Sequence, residues 1–211
     1  VLIIDDHPTQ VKAYQDIIEL VEDELDLHFH TFDNLKDAYE FIVEDNDGDK
    51  VIDLALLDLN MPAYKAYDLY SGIDLAKVIQ ANFPQAQLCF ITSHHEALLL
   101  YDLYHDFDPA GILIKSDFDG LQLESHFQDI LNGQKTYSST FNEALEKIKT
   151  SGIFLEYKNR TILKKLAEGY PSKDLPDMIG LSMSAIDKRK AKLKIFFNTD
   201  GQADNYLVIQ A

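Results

Sequence analysis

Five positions carry side chains suited to one chemistry. Asp5 and Asp6 close a short apolar run, V-L-I-I, and Asp58 closes a second, V-I-D-L-A-L-L. Thr92 and Lys115 close two more, Q-L-C-F-I and G-I-L-I. Three carboxylates brought to one point repel and do not all stay ionised unless a cation joins them. Oxygen donors favour a hard divalent ion, and Mg²⁺ is the fitting one in a cytosol. A lysine and a hydroxyl beside that ion are suited to receive the oxygens of a phosphoryl group. The carboxylate is then a nucleophile, and the ion neutralises charge in an in-line transfer.

These positions are far apart in sequence, so a fold must bring them together. The run V51–L57 is apolar on both faces, as the buried middle strand of a parallel sheet requires. Strands are also expected at Val1–Asp5, Leu27–Phe32, Gln87–Ile91 and Gly111–Ile114. Between them, apolar residues recur at helical spacing. Val11, Tyr14, Ile18 and Val21 mark a helix beginning near Pro8 and capped by His7 or Thr9. Leu35, Ala38, Phe41 and Ile42 mark a second, capped by Asn34. Further helices are expected at Ile73–Ala81, Glu96–Tyr104 and from Asp119 or Gly120 to Leu131, with a polar turn at Asp45–Lys50. This alternation predicts an α/β fold, a doubly wound, flavodoxin-like (βα)5 sheet in the order 2-1-3-4-5. In such a sheet the strands' carboxyl ends share one edge, so all five positions converge there.

The net charge of −17 argues against nucleic-acid binding until it is divided along the chain. Residues 1–126 hold 26 acidic and 6 basic side chains, a net of −20, whereas residues 156–198 hold 5 and 10, a net of +5. Two modules with two tasks are implied. The single Cys89 excludes an internal disulfide and fits a cytoplasmic location. No apolar run approaches the ~20 residues that span a bilayer, so no membrane partner is expected. The sequence opens on Val1 and not Met, and a short leader is expected to precede this numbering.

Residues 132–152 read as a linker with a short helix at Thr140–Lys149, closed by Ser151-Gly152. Residues 153–211 read as a small all-α domain. Asn159 is expected to cap a helix ended by Gly169, and Ser172 to open a second. Gly180 to Ser182 should form the tight turn. Ser184-Ala185-Ile186-Asp187 has the pattern of a capping box opening a last basic helix. Ile186, Leu193 and Phe197 fall on one side of that helix and Lys188 and Lys192 on the other. A further helix is expected over Ala203–Ala211.

D-D after the first strand, D-x-N-M-P after the third, T-S after the fourth and K after the fifth resemble the receiver domain of two-component response regulators. The resemblance covers residues 1–131 and rests on five separated positions. It implies that Asp58 accepts a phosphoryl group from a sensor histidine kinase. It further implies that Asp5, Asp6, Asp58 and the Asn60 backbone carbonyl hold Mg²⁺, with Thr92 and Lys115 engaging the phosphoryl oxygens. L-A-E-G-Y-P-S-K-D-L followed by S-M-S-A-I-D-K-R resembles the LuxR-type helix-turn-helix of the NarL/FixJ response regulators. That implies double-stranded DNA as a partner, a homodimer when phosphorylated or on DNA, and contacts from Lys188, Arg189, Lys190 and Lys192.

The chain departs from these patterns in places. Receivers place a glycine about four residues after the proline of M-P, but here A-Y-K-A-Y-D-L-Y-S separates Pro62 from Gly72. This insertion is either a plain surface loop or a lid or kinase-facing element beside the acceptor. Ile112 stands where an aromatic residue commonly swings with the switch. Asp187 stands where the helix-turn-helix family has a DNA-contacting lysine, and Arg189 where it has histidine. His94-His95 read as solvated loop residues. An enzyme acting on phosphate esters is disfavoured, because Asn60 and not a second carboxylate stands two residues after Asp58. A phosphorylation-controlled module whose helical tail binds protein is the alternative to DNA binding.

Overall fold

The computed structural model describes residues 1–22, 26–44, 50–151 and 156–204. The expected polar turn at Asp45–Lys50 and the expected helix over Ala203–Ala211 lie largely outside the described residues. So does the Gly152 break. The elements run β1 (Leu2–Ile4), α1 (Pro8–Val21), β2 (His30–Phe32), α2 (Leu35–Val43), β3 (Leu54–Leu57), α3 (Gly72–Asn82), β4 (Gln87–Thr92), α4 (Ala97–Phe107), β5 (Gly111–Ile114) and α5 (Gly120–Leu131). There follow β6 (Thr136–Tyr137), α6 (Ser139–Ser151), α7 (Tyr157–Ala167), α8 (Leu175–Ile179) and α9 (Met183–Phe196).

The sheet is parallel throughout, in the order 2-1-3-4-5-6. Its inner strands β1, β3 and β5 are apolar on both faces because both faces are covered. Ile3, Leu56, Cys89, Ile91 and Leu113 face one core, where α1 contributes Val11, Tyr14 and Ile18 and α5 contributes Leu123, Phe127 and Ile130. Leu35, Ala38 and Ile42 of α2 and Leu75, Ala76 and Ile79 of α3 are also buried, and these two helices pack together. Burying a side chain of this size contributes about 1.5–3 kcal/mol. Asn34 caps α2 as expected, accepting from the Asp37 N–H at 2.9 Å. Burial in the core raises the Cys89 thiol's pKa.

The sixth strand was not expected. Residues 136–137 extend the sheet beside β5, with Gly111 paired to Thr136 and Ile112 to Tyr137. Ser138 Oγ accepts the buried N–H of Ile114 at 3.0 Å. Asp117 receives both the N–H and the hydroxyl of Thr140, each at 2.7 Å, and so fastens the start of α6. The sequence places a linker at 132–152, and its first part is built into the sheet.

The chain divides into two compact units, Val1–His94 with Leu103–Phe141, and His95–Asp102 with the residues from Asn142 on. In the second, Ile162, Leu175 and Ile186 form a small buried core with Leu166, Ile179 and Leu181 around it. Three sequence expectations are corrected here. Asn159 does not cap α7: it lies within that helix, buried, and Glu156 holds the cap position. The segment opening at Ser172 is a 3-10 turn, Ser172–Asp174, and α8 follows with Pro176 in its first turn, where a proline lacks only an N–H that no carbonyl awaits. Finally α9 is capped by Ser182 and not Ser184, the Ser182 hydroxyl accepting from the Ala185 N–H at 3.2 Å. Gly180 supplies the turn between α8 and α9 at φ 67°, a left-handed conformation natural to glycine.

Candidate functional site

Asp5, Asp58 and Lys115 are each fixed by one backbone bond just past a strand end, and Thr92 is the last residue of β4. The Asp5 N–H bonds Phe32 O at 3.2 Å and the Asp58 N–H bonds Ile4 O at 2.8 Å. The Lys115 N–H bonds Thr92 O at 2.7 Å. The parallel ladder thus brings four chain segments to one edge. Asp5, Asp58 and Thr92 are buried there.

The Lys115 ammonium donates to Asp5 Oδ2 at 2.8 Å and to Asp58 Oδ2 at 2.7 Å. Burial alone would lower its pKa, but these bonds and charges outweigh burial and raise it, so the ammonium stays charged. The other Asp58 oxygen, Oδ1, accepts from the Asn60 N–H at 3.0 Å. Thr92 Oγ1 accepts from the His94 N–H at 3.0 Å. Tyr14 lies beneath, its phenol pKa raised by burial and then by the charges of Asp5 and Asp58.

The donor set suits a divalent cation. Ligand atoms of Asp5, Asp6, His7 and Asp58 lie within 4.8 Å of one another. Asp6 Oδ1 is buried without a well-directed hydrogen bond, although His7 Nδ1 lies 2.7 Å away. A buried carboxylate oxygen left in that state is costly, and a cation bound there would satisfy it. His7 is the member that sequence reasoning passed over, having been considered only as a helix cap. It takes the cap position of α1 without a side-chain cap bond, and its Nδ1 lies 2.7 Å from Asp6 Oδ1 and 3.2 Å from Asp5 Oδ1. Its adjacency to Asp5-Asp6 was the available signal. His94 and His95 are not part of this group.

The insertion between Pro62 and Gly72 is an ordered tab. Tyr64 and Leu69 exchange backbone bonds at 2.7 and 3.2 Å, and Leu69 is buried. The Tyr67 ring stacks between Tyr39 of α2, at 4.7 Å, and Tyr64, at 5.5 Å. Ile112 is wholly buried, and the aromatic ring beside it comes from β6. Tyr137 packs against Tyr104 and Phe141 at 5.8 and 4.8 Å and donates its hydroxyl to Pro109 O at 3.2 Å. Burial pushes the Tyr137 phenol up to about 12.

In the second unit the basic residues of α9 separate into two groups. Arg189 turns inward, donating to Asn159 Oδ1 at 2.7 Å and to Glu156. Lys190 donates to Ser172 Oγ at 2.9 Å and to Asp204 at 2.8 Å, and Lys194 also pairs with Asp204 at 2.8 Å. Lys188 and Lys192 lie on the exposed side, and among the described residues neither makes an ion pair. So of the four cations expected to meet DNA, the structure places two outward and turns two to partners within the fold. Burial would raise the Asp204 carboxyl, but hydrogen bonds from Lys190, Lys194 and Ser172 override it and hold the pKa well below the usual carboxylate range.

A parallel sheet whose carboxyl edge gathers three aspartates, a lysine and a threonine defines a phosphoacceptor-type α/β domain. The response regulator receiver domain profile matches residues 1–120, over half of the 211-residue chain, and the chain belongs to the response regulator family. It is 22% identical to the oxygen regulatory protein NreC of Staphylococcus epidermidis, over 94% of this chain and 90% of that protein. A solved structure of two RcsB dimers bound to two parallel DNAs shares its fold, with a TM-score of 0.66 and 23% identity over 99% of this chain and 95% of that one. RcsB of Salmonella enterica serovar Typhimurium, bound to promoter P1flhDC with the phosphomimetic BeF3⁻, gives a TM-score of 0.65 and 21% identity over the same shares. Among the described residues no helix is long and apolar enough to cross a membrane.

Proposed function

We propose that the chain is a phosphorylation-gated, DNA-binding transcription regulator of the NarL/FixJ type, acting in the cytoplasm. The observation that carries this reading is the bridge from Lys115 to both Asp5 and Asp58, with Asp6 and His7 beside it. An oxygen of the Asp58 carboxylate attacks the phosphorus of a phosphohistidine on a sensor kinase. The new O–P bond forms as the N–P bond breaks, and the electron pair returns to the histidine nitrogen. Asp5, Asp6, Asp58 and the Asn60 carbonyl would hold Mg²⁺, which supplies neutralisation of the charge on the phosphoryl oxygens. Lys115 then pairs with the acyl phosphate, and the Thr92 hydroxyl leaves His94 to meet a phosphoryl oxygen. Such a move alters β4 and β5, and Tyr137 on β6 borders that change.

The second unit reads DNA as a homodimer, with α8 and α9 as the helix-turn-helix. The relatives crystallised on DNA favour this over a protein-binding tail. The test is to sequence genomic fragments retained by the full chain, with and without beryllofluoride and Mg²⁺. Discrete sites enriched only with the mimic are expected. Sites found equally in both conditions would remove the gate, and no enrichment in either would favour the protein-binding alternative.

A further inference from the structure

The exposed side of α9 carries a stripe of Ser184, Asp187, Lys188, Ala191, Lys192 and Ile195, spaced by three and four residues. Ile186 and Leu193 are buried on the opposite side. With Arg189, Lys190 and Lys194 held by partners in the fold, the stripe offers outside groups two lysines and one carboxylate. That carboxylate is out of place in a helix meant for a polyanion. Asp187 is 55% exposed, and its nearest cation, Lys190 at 3.5 Å, is more closely engaged with Asp204. It precedes Lys188 by one residue and Lys192 by five, on the N-terminal side of both, so lysines anchored on phosphates would bring it to the groove. A carboxylate there repels phosphates and can only accept hydrogen bonds. Two bases show an amine in the major groove; adenine N6 lies beside the N7 acceptor, which repels a carboxylate, so the cytosine N4 amine is the edge that rewards an acceptor-only group.

We propose that Asp187 selects a C·G pair in each half-site, admitting cytosine and penalising sequences that present only acceptors at that position. This rests on the reading above that α9 enters the major groove. The side chain thus trades non-specific attraction for specificity, because removing a negative charge from the stripe strengthens binding to any duplex.

The test uses the full chain with beryllofluoride and Mg²⁺, selecting from a library of randomised duplexes. Wild type, Asp187→Ala and Asp187→Asn are compared, and thermal melts confirm equal folding, as expected for an exposed residue. Wild type is expected to enrich cytosine at one position per half-site and to lose about 5- to 100-fold in affinity when thymine replaces it. Asp187→Ala is expected to accept all four bases there and to bind non-specific DNA more tightly. Asp187→Asn is expected to shift the preference toward adenine, which an amide can pair on two atoms. A motif that is discrete in wild type and unchanged in Asp187→Ala overturns the inference alone. Failure of wild type to select any motif overturns it together with the DNA-binding reading.

Discussion

A methyl group placed on the α-carbon of Gly72 would lie 2.0 Å from the carbonyl oxygen of Asp58. The same residue donates its N–H to Leu59 O at 3.1 Å. The insertion therefore leaves the start of α3 where it must be. The chain loops out after Pro62, closes on itself at Tyr64 and Leu69, and returns a glycine against the backbone of Asp58. Any side chain there must displace the backbone of Asp58 and Leu59. Gly72→Ala is expected to cost about 1–3 kcal/mol by overpacking and to slow phosphoryl uptake. Urea denaturation and the rate of labelling by an acyl phosphate donor check it; a wild-type labelling rate would show that this close approach does not position Asp58.

Asp6 and Lys115 make opposite predictions for a divalent ion. The lysine already bridges Asp5 and Asp58, whereas Asp6 lies outside that bridge, its Oδ1 near His7 Nδ1. Mg²⁺ bound to the folded state raises stability by mass action, roughly 2.7 kcal/mol at a hundred times its Kd. Wild type should melt at higher temperature as Mg²⁺ is added, and Asp6→Asn should lose most of that shift. Lys115→Met should keep the shift or enlarge it, because the competing cation has gone. A melting temperature indifferent to Mg²⁺ in wild type would argue against a metal at these carboxylates.

The parts of this site differ in how legible they were. Asp5, Asp58, Thr92 and Lys115 could be placed because each ends a buried apolar run, and a parallel sheet aligns such ends. Strands β1 to β5 and helices α1 to α5 follow from the same periodicity. The strand at Thr136–Tyr137 could not be foreseen: two residues have no period, and their pairing with Gly111 and Ile112 is a tertiary fact. Nor does a run of basic residues say which are free. Arg189 and Lys190 adjoin Lys188 in sequence, but their partners Glu156, Asn159, Ser172 and Asp204 lie on distant turns of chain. The cap at Ser182 was missed because Ser184 offers the same chemistry two residues on.

Asp204 gives the second unit a pH dependence of known sign. Its folded pKa is depressed, by bonds from Lys190, Lys194 and Ser172 that prevail over burial. A depressed carboxylate contributes stability that is fully present above its ordinary value of 3.8 and is lost as pH falls toward the folded value. The small core around Ile162, Leu175 and Ile186 makes this contribution matter. Asp204→Asn is expected to destabilise this unit by about 1–3 kcal/mol at neutral pH, the usual scale for hydrogen bonds to a charged group. Below about pH 4 the difference from wild type should shrink. Denaturation followed by a probe in this unit between pH 7 and 3 checks it; a difference constant with pH would place the stabilisation outside the ion pairs.

The two groups of cations on α9 should separate experimentally. Lys188 and Lys192 point outward without an ion pair among the described residues, so on the proposed DNA-binding reading each would release a counterion from DNA. Losing one phosphate contact changes the slope of log K against log salt by about 0.9. Lys188→Ala and Lys192→Ala are each expected to lower the slope's magnitude by about that amount and to leave the melting temperature unchanged. Arg189 and Lys190 hold α9 to Asn159, Glu156, Ser172 and Asp204. Arg189→Ala and Lys190→Ala should therefore destabilise the fold by about 1–3 kcal/mol while the salt slope of the folded fraction stays near wild type. Titrations at several salt concentrations, paired with melts of the same samples, measure both quantities. A slope reduced by Arg189→Ala or Lys190→Ala without any loss of stability would mean that these side chains leave their acidic partners to meet DNA.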